Sequence, residues 1–505
     1  MFNKWYFRFI QSKEFIYYLL TILLVLKLLA ALMLELGNDE VYYTLYAKKL
    51  QWSYFDHPPM VGIAIFLTTL GGWFGDDFFV RLAPIVLASL GLVVIYRLML
   101  RTFNKPIAIT AAILWSSSIY LQIISGFFIL PDTLLMFFVV LALNPIYSIY
   151  LSDDHSMKQW IMLGGALGLA MLSKYSIVFI VFGLFVYTLL YKRSLLRTKG
   201  PWISLLVLCI CALPILFWNA QNGFASFQFH GKRVGMSEGI QWLSFLREFL
   251  GIVFYNNPFL VLLIAFFILL RYNKNWNVKV LVFSRIHLFM GLPIILFFLL
   301  SSLFKPTLPH WSAPGVSLLI LPLSTVIFKR QEFVKYSLIF LLIVLALAPW
   351  LINYGCMKDN GNTQEIRVGR NDFTLDMYGW EQLSNEFEKL YSKRLLACSD
   401  QEKAAFVVDK WFPGGHIQFY LGQRMNWPTY GVGELEQLHQ FVYFNESLPD
   451  IEQVDKLFYV TTSHFFTNPS DNPKFKNCQL LAKIPILRNG NIVANGFVYS
   501  IELSH

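Results

Sequence analysis

Residues Phe15–Tyr43 read FIYYLLTILLVLKLLAALMLELGNDEVYY. The stretch up to Leu36 is an apolar run of the length that crosses a bilayer, about 20 residues. An acidic pair, Asp39-Glu40, follows directly after Gly37-Asn38. Carboxylates at a membrane are costly and rare, and by default they mark function. The next loop reads Trp52-Ser53-Tyr54-Phe55-Asp56-His57-Pro58-Pro59-Met60 and adds another acid and a histidine. A membrane span that delivers acids to its rim predicts a multi-span protein with chemistry on that side.

Composition agrees. Of 505 residues, 56% are hydrophobic and only 14% charged, against about a quarter charged in soluble domains. A soluble enzyme is therefore excluded. Aromatics at 17%, among them 47 Phe, suit lipid-facing helices and interfacial belts. The net charge of +10 lies largely in short loops, where it sets topology, and no basic aromatic patch points to nucleic acid. Cys209 and Cys211 fall inside an apolar span and read as packing residues; one disulfide among Cys356, Cys398 and Cys478 is left open. No CxxC or HExxH occurs, so there is no zinc signature.

Candidate spans fall at 15–36, 80–101, 106–124, 131–150, 159–173, 175–191, 202–218, 246–270, 281–304, 312–328 and 335–353, about eleven in all. Basic clusters follow the second, sixth, eighth and tenth spans: Arg97, Arg101 and Lys105; then Lys192, Arg193, Arg197 and Lys199; then Arg271, Lys274 and Lys279; then Lys329, Arg330 and Lys335. With Lys4, Arg8 and Lys13 before the first span, all share one side, which predicts a cytoplasmic N-terminus and an external tail. Residues 41–75 then form an external loop with one or two short interfacial helices.

The expected organisation is a helical membrane domain over 1–353 and a small α/β extracytoplasmic domain over 354–505. In the tail, 378–396 has helical spacing, while 404–409, 457–462 and 479–486 read as strands. Asn489-Gly490 between 479–488 and 491–502 predicts a hairpin.

The polar candidates share the external side of this topology: Asp39, Glu40 and Tyr43, then Asp56 and His57, then Asp132 after Pro131. Lys174 interrupts two spans, His230, Lys232 and Arg233 follow a later one, and Lys305 and His310 lie in the fifth loop. A carboxylate beside a reacting hydroxyl takes its proton as the oxygen attacks. Lysine or arginine neutralises a phosphate leaving group without a metal, although Asp39, Glu40 and the histidines also suit a divalent ion. The expected roles are Asp39 as base and Lys174, Arg233 or Lys305 as phosphate holders. Plainer readings stand beside these: Asp132 as a helix N-terminal charge, Lys174 as a snorkelling side chain, His310 as a residue packed on Trp311.

The chain resembles the GT-C superfamily of polyprenyl-phosphate-sugar glycosyltransferases, and more narrowly the bacterial members of glycosyltransferase family 39, which are protein O-mannosyltransferase-like and aminoarabinose transferase-like. The residues that carry the resemblance are Asp39-Glu40-Val41-Tyr42-Tyr43, Trp52 to Met60, Leu130-Pro131-Asp132, Ser173-Lys174-Tyr175, Trp218-Asn219-Ala220-Gln221 and Leu308-Pro309-His310-Trp311, with Tyr378-Gly379-Trp380 in the tail. The resemblance implies a first-loop acid as base, mapped to Asp39, with Glu40 helping to place it or binding the acceptor. It also implies a polyprenyl-phosphate sugar donor, inversion at the anomeric carbon and residence in the bacterial inner membrane. The acceptor is left as a protein hydroxyl, lipid A or another envelope glycan, and no cofactor is required. The alternative is a transporter or flippase, since intramembrane charges also line transport paths; the one-sided placement of the charges and the lack of repeat symmetry weigh against it.

Overall fold

The computed structural model describes residues 14–234, 239–270, 277–329, 331–355, 364–393 and 403–504, without the side chains of 233–234, 269–270 and 331–333. The chain divides into two compact units. One comprises Met1–Leu28, Gln51–Val61 and Arg81–Leu345; the other comprises Leu29–Leu50, Gly62–Val80 and Ala346–His505.

Along the chain run α1 (Phe15–Met33), α2 (Asn38–Lys48), α3 (Met60–Thr68), α4 (Asp77–Thr102), α5 (Lys105–Ser116), α6 (Pro131–Leu151), α7 (Met157–Met171), α8 (Ile177–Tyr191), α9 (Lys199–Gln221), α10 (Ala225–Val234), α11 (Trp242–Asn256), α12 (Pro258–Leu270), α13 (Val278–Ser301), α14 (Ala313–Ile327) and α15 (Gln331–Tyr354). Among the described residues six helices, within α1, α4, α6, α9, α13 and α15, are long and apolar enough to cross a membrane, or seven if the α11–α12 pair counts as one bent span. The expected spans at 106–124, 159–173, 175–191 and 312–328 fall on shorter helices. In the first of these, α5 stops at Ser116 and a π-helical turn, Tyr120–Ile124, follows.

The expected straight span at 246–270 is two helices bent by 103°. The cause is Asn257-Pro258. Asn257 adopts φ +82°, and Pro258 has no N–H to continue the helix. The buried Asn257 amide donates to the carbonyls of Ser117 (2.8 Å) and Ser337 (2.9 Å), so the bend is fixed by satisfied polar groups.

In the first unit, small residues let helices approach closely. A Cβ on Gly183 of α8 would lie 1.8 Å from the Phe289 carbonyl oxygen of α13, and Gly291 and Gly315 face each other's backbone across α13 and α14. Gly168 of α7 meets Cys211 in the same way, whereas Cys209 is exposed on α9, contrary to the packing role expected of it.

In the second unit the tail carries a five-stranded sheet in the order β2-β1-β3-β5-β4, built from β1 (Ala404–Val408), β2 (Thr429–Gly431), β3 (Lys456–Thr462), β4 (Phe475–Arg488) and β5 (Asn491–Leu503). β1 pairs parallel with β2 and β3, while β5 runs antiparallel to β3 and β4. The hairpin lies where Asn489-Gly490 placed it, both residues having positive φ (52° and 77°), as a two-residue hairpin turn that follows strand twist requires. One face packs Val407, Tyr430, Leu457, Tyr459, Phe475 and Ile501. The other receives α16 (Trp380–Ser392), whose Phe387 ring contacts Phe406 and Phe458 at 5.2 and 5.7 Å. Cys478 is a free thiol; Cys356 and Cys398 lie outside the described residues.

Candidate active site

The predicted residues fall into two groups, one in each unit. In the first unit the loop from Gln51 to Pro59 is fixed by contacts along its length. Trp218 Nε1 donates to Gln51 Oε1 (2.7 Å), Ser226 Oγ to the Tyr54 carbonyl (2.8 Å) and His230 Nε2 to the Asp56 carbonyl (2.9 Å). Met60 N donates to the Leu172 carbonyl (3.1 Å), which joins the start of α3 to the break between α7 and α8. Asp56 is buried and His57 half-buried, with the His57 and His230 rings 6.3 Å apart.

The break at Ser173-Lys174-Tyr175 has a clear reason. Lys174 Nζ lies 2.6 Å from Asp132 Oδ2, and the side chains are only 10% and 2% exposed. Tyr120 OH donates to the other carboxylate oxygen at 2.7 Å. Pro131 opens α6 in the position proline favours and leaves Asp132 in its first turn, where a carboxylate complements the helix dipole. Snorkelling is thus corrected for Lys174: the side chain is buried in an ion pair. His310 is close enough for Lys174 and Asp132 to act on its imidazole. Desolvation, then the Lys174 charge, push His310 down to about 4, against the opposing pull of Asp132. His57 is pushed down to about 3 by desolvation, with Asp56 opposing. Both histidines are therefore neutral at pH 7. Lys305 Nζ donates to the Lys232 carbonyl at 2.5 Å. The Arg233 side chain lies outside the described residues.

In the second unit, Asp39, Glu40 and Tyr43 all lie on α2. Glu40 is buried, and its Oε2 accepts from Gly37 N at 2.9 Å. This closes the first turn of the helix as a capping carboxylate does. Asp39 is exposed in the same turn. Tyr43 is buried, its ring 5.5 Å from Tyr42 and 5.3 Å from Tyr46.

Sequence reasoning missed several polar residues. Tyr120 gave no signal, since a tyrosine in an apolar run reads as packing. Lys27 lies in α1, is 2% exposed, and its Nζ would be 3.0 Å from a Cβ on Gly126; a lysine inside a span was a readable signal. Glu35, two residues before Gly37, accepts from Trp380 N and Glu381 N at 2.8 and 3.1 Å. Among the described residues no group of three or more His, Cys, Asp or Glu is placed to hold a metal ion.

These helices and the C-terminal sheet make the GT-C fold. The chain superposes on ArnT from Cupriavidus metallidurans bound to undecaprenyl phosphate with a TM-score of 0.62 at 15% identity, covering 97% of this chain and 98% of that one. The apo state of the same protein gives 0.58 at 16% identity with the same coverage. Residues 56–218 match the model of the dolichyl-phosphate-mannose-protein mannosyltransferase family, a stretch that includes Asp56, His57, Asp132 and Lys174. Over 189 residues the chain is 26% identical to the lipid A galacturonosyltransferase RgtD of Rhizobium johnstonii. That alignment covers 36% of this chain and 38% of the relative, so the chain spans well under half the length of that curated relative. The chain thus shares the GT-C fold, and about a third of it, residues 56–218, matches the mannosyltransferase family.

Proposed function

We propose that this protein is a multi-pass inner-membrane glycosyltransferase that moves a sugar from a polyprenyl-phosphate carrier to an extracytoplasmic hydroxyl. The observation that carries the reading is the buried Lys174–Asp132 pair, braced by Tyr120, inside the stretch that matches the mannosyltransferase family. A lysine ammonium has three N–H donors. Asp132 takes one, and the pair holds the ammonium still, the preorganisation that favours charge developing on a leaving phosphate.

In the proposed reaction the acceptor oxygen attacks the anomeric carbon as Asp39 takes its proton. The bond from that carbon to the phosphate oxygen breaks with inversion, and the polyprenyl phosphate leaves with one more negative charge. Lys174 offsets that charge, with Lys305 and Arg233 as further cations; Asp56, His57, His310 and Tyr43 contact donor or acceptor. Glu40 holds the first turn of α2, so its part in catalysis is indirect. In this reading the cations take the place of a metal, so treatment with EDTA is expected to leave the rate unchanged, and a loss of transfer restored by a divalent ion would overturn that part. The N-terminus is cytoplasmic and the tail periplasmic, as the basic clusters at alternate loops support. The names of the relatives support lipid A or a protein hydroxyl as acceptor.

The test supplies membranes with radiolabelled undecaprenyl-phosphate mannose, galacturonate and aminoarabinose. Label moving into lipid or protein, and lost with Lys174→Met in a normally expressed protein, supports the reading. Full transfer by that variant removes Lys174 from the chemistry.

A further inference from the structure

Within the second unit, the chain around Asp39 is bound to the C-terminal part at four points that the transfer chemistry does not use. Glu35 accepts from Trp380 N and Glu381 N. Leu36 N donates to Tyr420 OH at 2.6 Å, and that hydroxyl donates onward to Asp77 at 2.9 Å. His416 Nε2 donates to Asn38 Oδ1 at 2.8 Å. Gln440 N donates to Tyr42 OH at 3.0 Å. The anchored residues 35, 36, 38 and 42 bracket Asp39, which stays exposed.

His416 is the centre of this arrangement. Its ring is fully buried and lies flat on Trp380, with centroids 4.1 Å apart and planes 8° apart, while Tyr420 stacks on it at 6.0 Å and 12°. The stack fixes the plane of the imidazole and aims Nε2–H at the residue immediately before Asp39. Burial keeps the ring neutral, its pKa well below the ordinary histidine value, so Nε2 carries the only ring proton. Next to it, Gly415 lets the backbones touch: a Cβ there would be 3.0 Å from Val41 Cγ2 and 3.1 Å from Tyr42 N. An apolar side chain would dock a helix without placing a polar nitrogen in a buried stack. A hydrogen bond to one atom of the first turn fixes that turn's position.

We propose that His416 is a positioning residue for the Asp39 turn: the C-terminal domain acts as a brace that holds the proposed base in its working geometry through the His416–Asn38 hydrogen bond. The inference rests on the reading of Asp39 as base. It implies that the tail is needed for turnover itself, whatever part it takes in choosing the acceptor.

Two variants of the full-length protein separate the bond from the stack. His416→Gln keeps an N–H donor, and His416→Phe keeps the ring. Transfer is followed with whichever of the three undecaprenyl-phosphate sugars the wild type turns over, and amide hydrogen exchange is measured over residues 36–42. His416→Phe is expected to lower kcat at least tenfold with KM within twofold, and to speed exchange over 36–42 alone. His416→Gln is expected to stay within about threefold of the wild type in kcat. Equal losses in both variants, or a normal kcat in His416→Phe, would overturn the proposal. Asp39→Asn keeps the two questions apart. Full transfer by Asp39→Asn defeats the reading of the base, and with it the catalytic half of the proposal, while exchange in His416→Phe still decides whether the histidine holds the turn.

Discussion

Substituting Asn for Asp132 removes the counter-charge of Lys174 while keeping the shape of the side chain and an oxygen for Tyr120. At 2.6 Å and an effective dielectric constant of about 20, the pair is worth about 6 kcal/mol of Coulomb attraction. Much of that offsets the desolvation of two buried ions. What the single substitution exposes is an uncompensated buried ammonium, which costs about 3–5 kcal/mol. At about 2 °C per kcal/mol for a large chain, the unfolding midpoint in detergent should fall by about 6–10 °C, read from a thiol-reactive or intrinsic-fluorescence melt. The double variant Asp132→Leu/Lys174→Met replaces both ions by apolar groups and should recover to within about 2 °C of the wild type. It should nevertheless transfer no sugar. A melt of Asp132→Asn within 1–2 °C of the wild type, on the same order-of-magnitude scale, would show that the pair does not hold the break at Lys174. A double variant that still transfers sugar would show that the pair is structural only.

Glu40→Gln retains an oxygen for Gly37 N and should keep transfer within a few-fold, whereas Glu40→Ala loses the cap and about 1 kcal/mol of stability; a dead Glu40→Gln would return Glu40 to the chemistry. The folded pKa values of His57 and His310, about 3 and about 4, lie below the unfolded value of about 6.5. The unfolded chain therefore binds more protons on acidification, and stability present above about pH 6.5 is lost as pH falls toward about 4. Melts of the wild type and of His310→Gln across pH 7 to 4 should show a shallower decline in the variant, and parallel curves would refute the assignment. Asn257→Ala strips the Ser117 and Ser337 carbonyls of their donor and places alanine at positive φ. It should cost about 2–4 kcal/mol, with Asn257→Gly losing less; a neutral melt for both would contradict the account of the bend.

The parts of this protein legible from sequence were those in which a residue type has one cheap explanation. Apolar runs marked the helices because nothing else tolerates such composition, and Asn489-Gly490 marked a hairpin because both turn residues need positive φ. Asp56, His57, Asp132, Lys174 and His310 were all singled out as polar residues in a membrane protein, and the structure brings their segments together in one unit. Pairing was not legible. Nothing in Ser173-Lys174-Tyr175 says that the ammonium turns to a carboxylate 42 residues earlier, or that Tyr120 completes the site. The 103° bend at Asn257 was hidden because 246–270 is apolar throughout and hydropathy is blind to direction. Glu40 looked like half of a catalytic pair, yet the same side chain three residues after Gly37 is also a capping residue, and the geometry shows that use. The anchoring of residues 35–42 by the tail joins positions almost 400 apart in sequence, beyond any local pattern.

The most direct test of the central claim is transfer by purified full-length wild type and Asp39→Asn, with each undecaprenyl-phosphate sugar and with lipid A or protein acceptors. The account predicts turnover of at least one donor by the wild type, and a loss of at least a hundredfold in kcat for Asp39→Asn at unchanged melting temperature, the scale expected for removal of a general base. Wild-type transfer undiminished in Asp39→Asn would contradict the mechanism. No transfer from any donor, together with movement of the intact lipid-linked sugar between leaflets in liposomes, would contradict the assignment as a transferase.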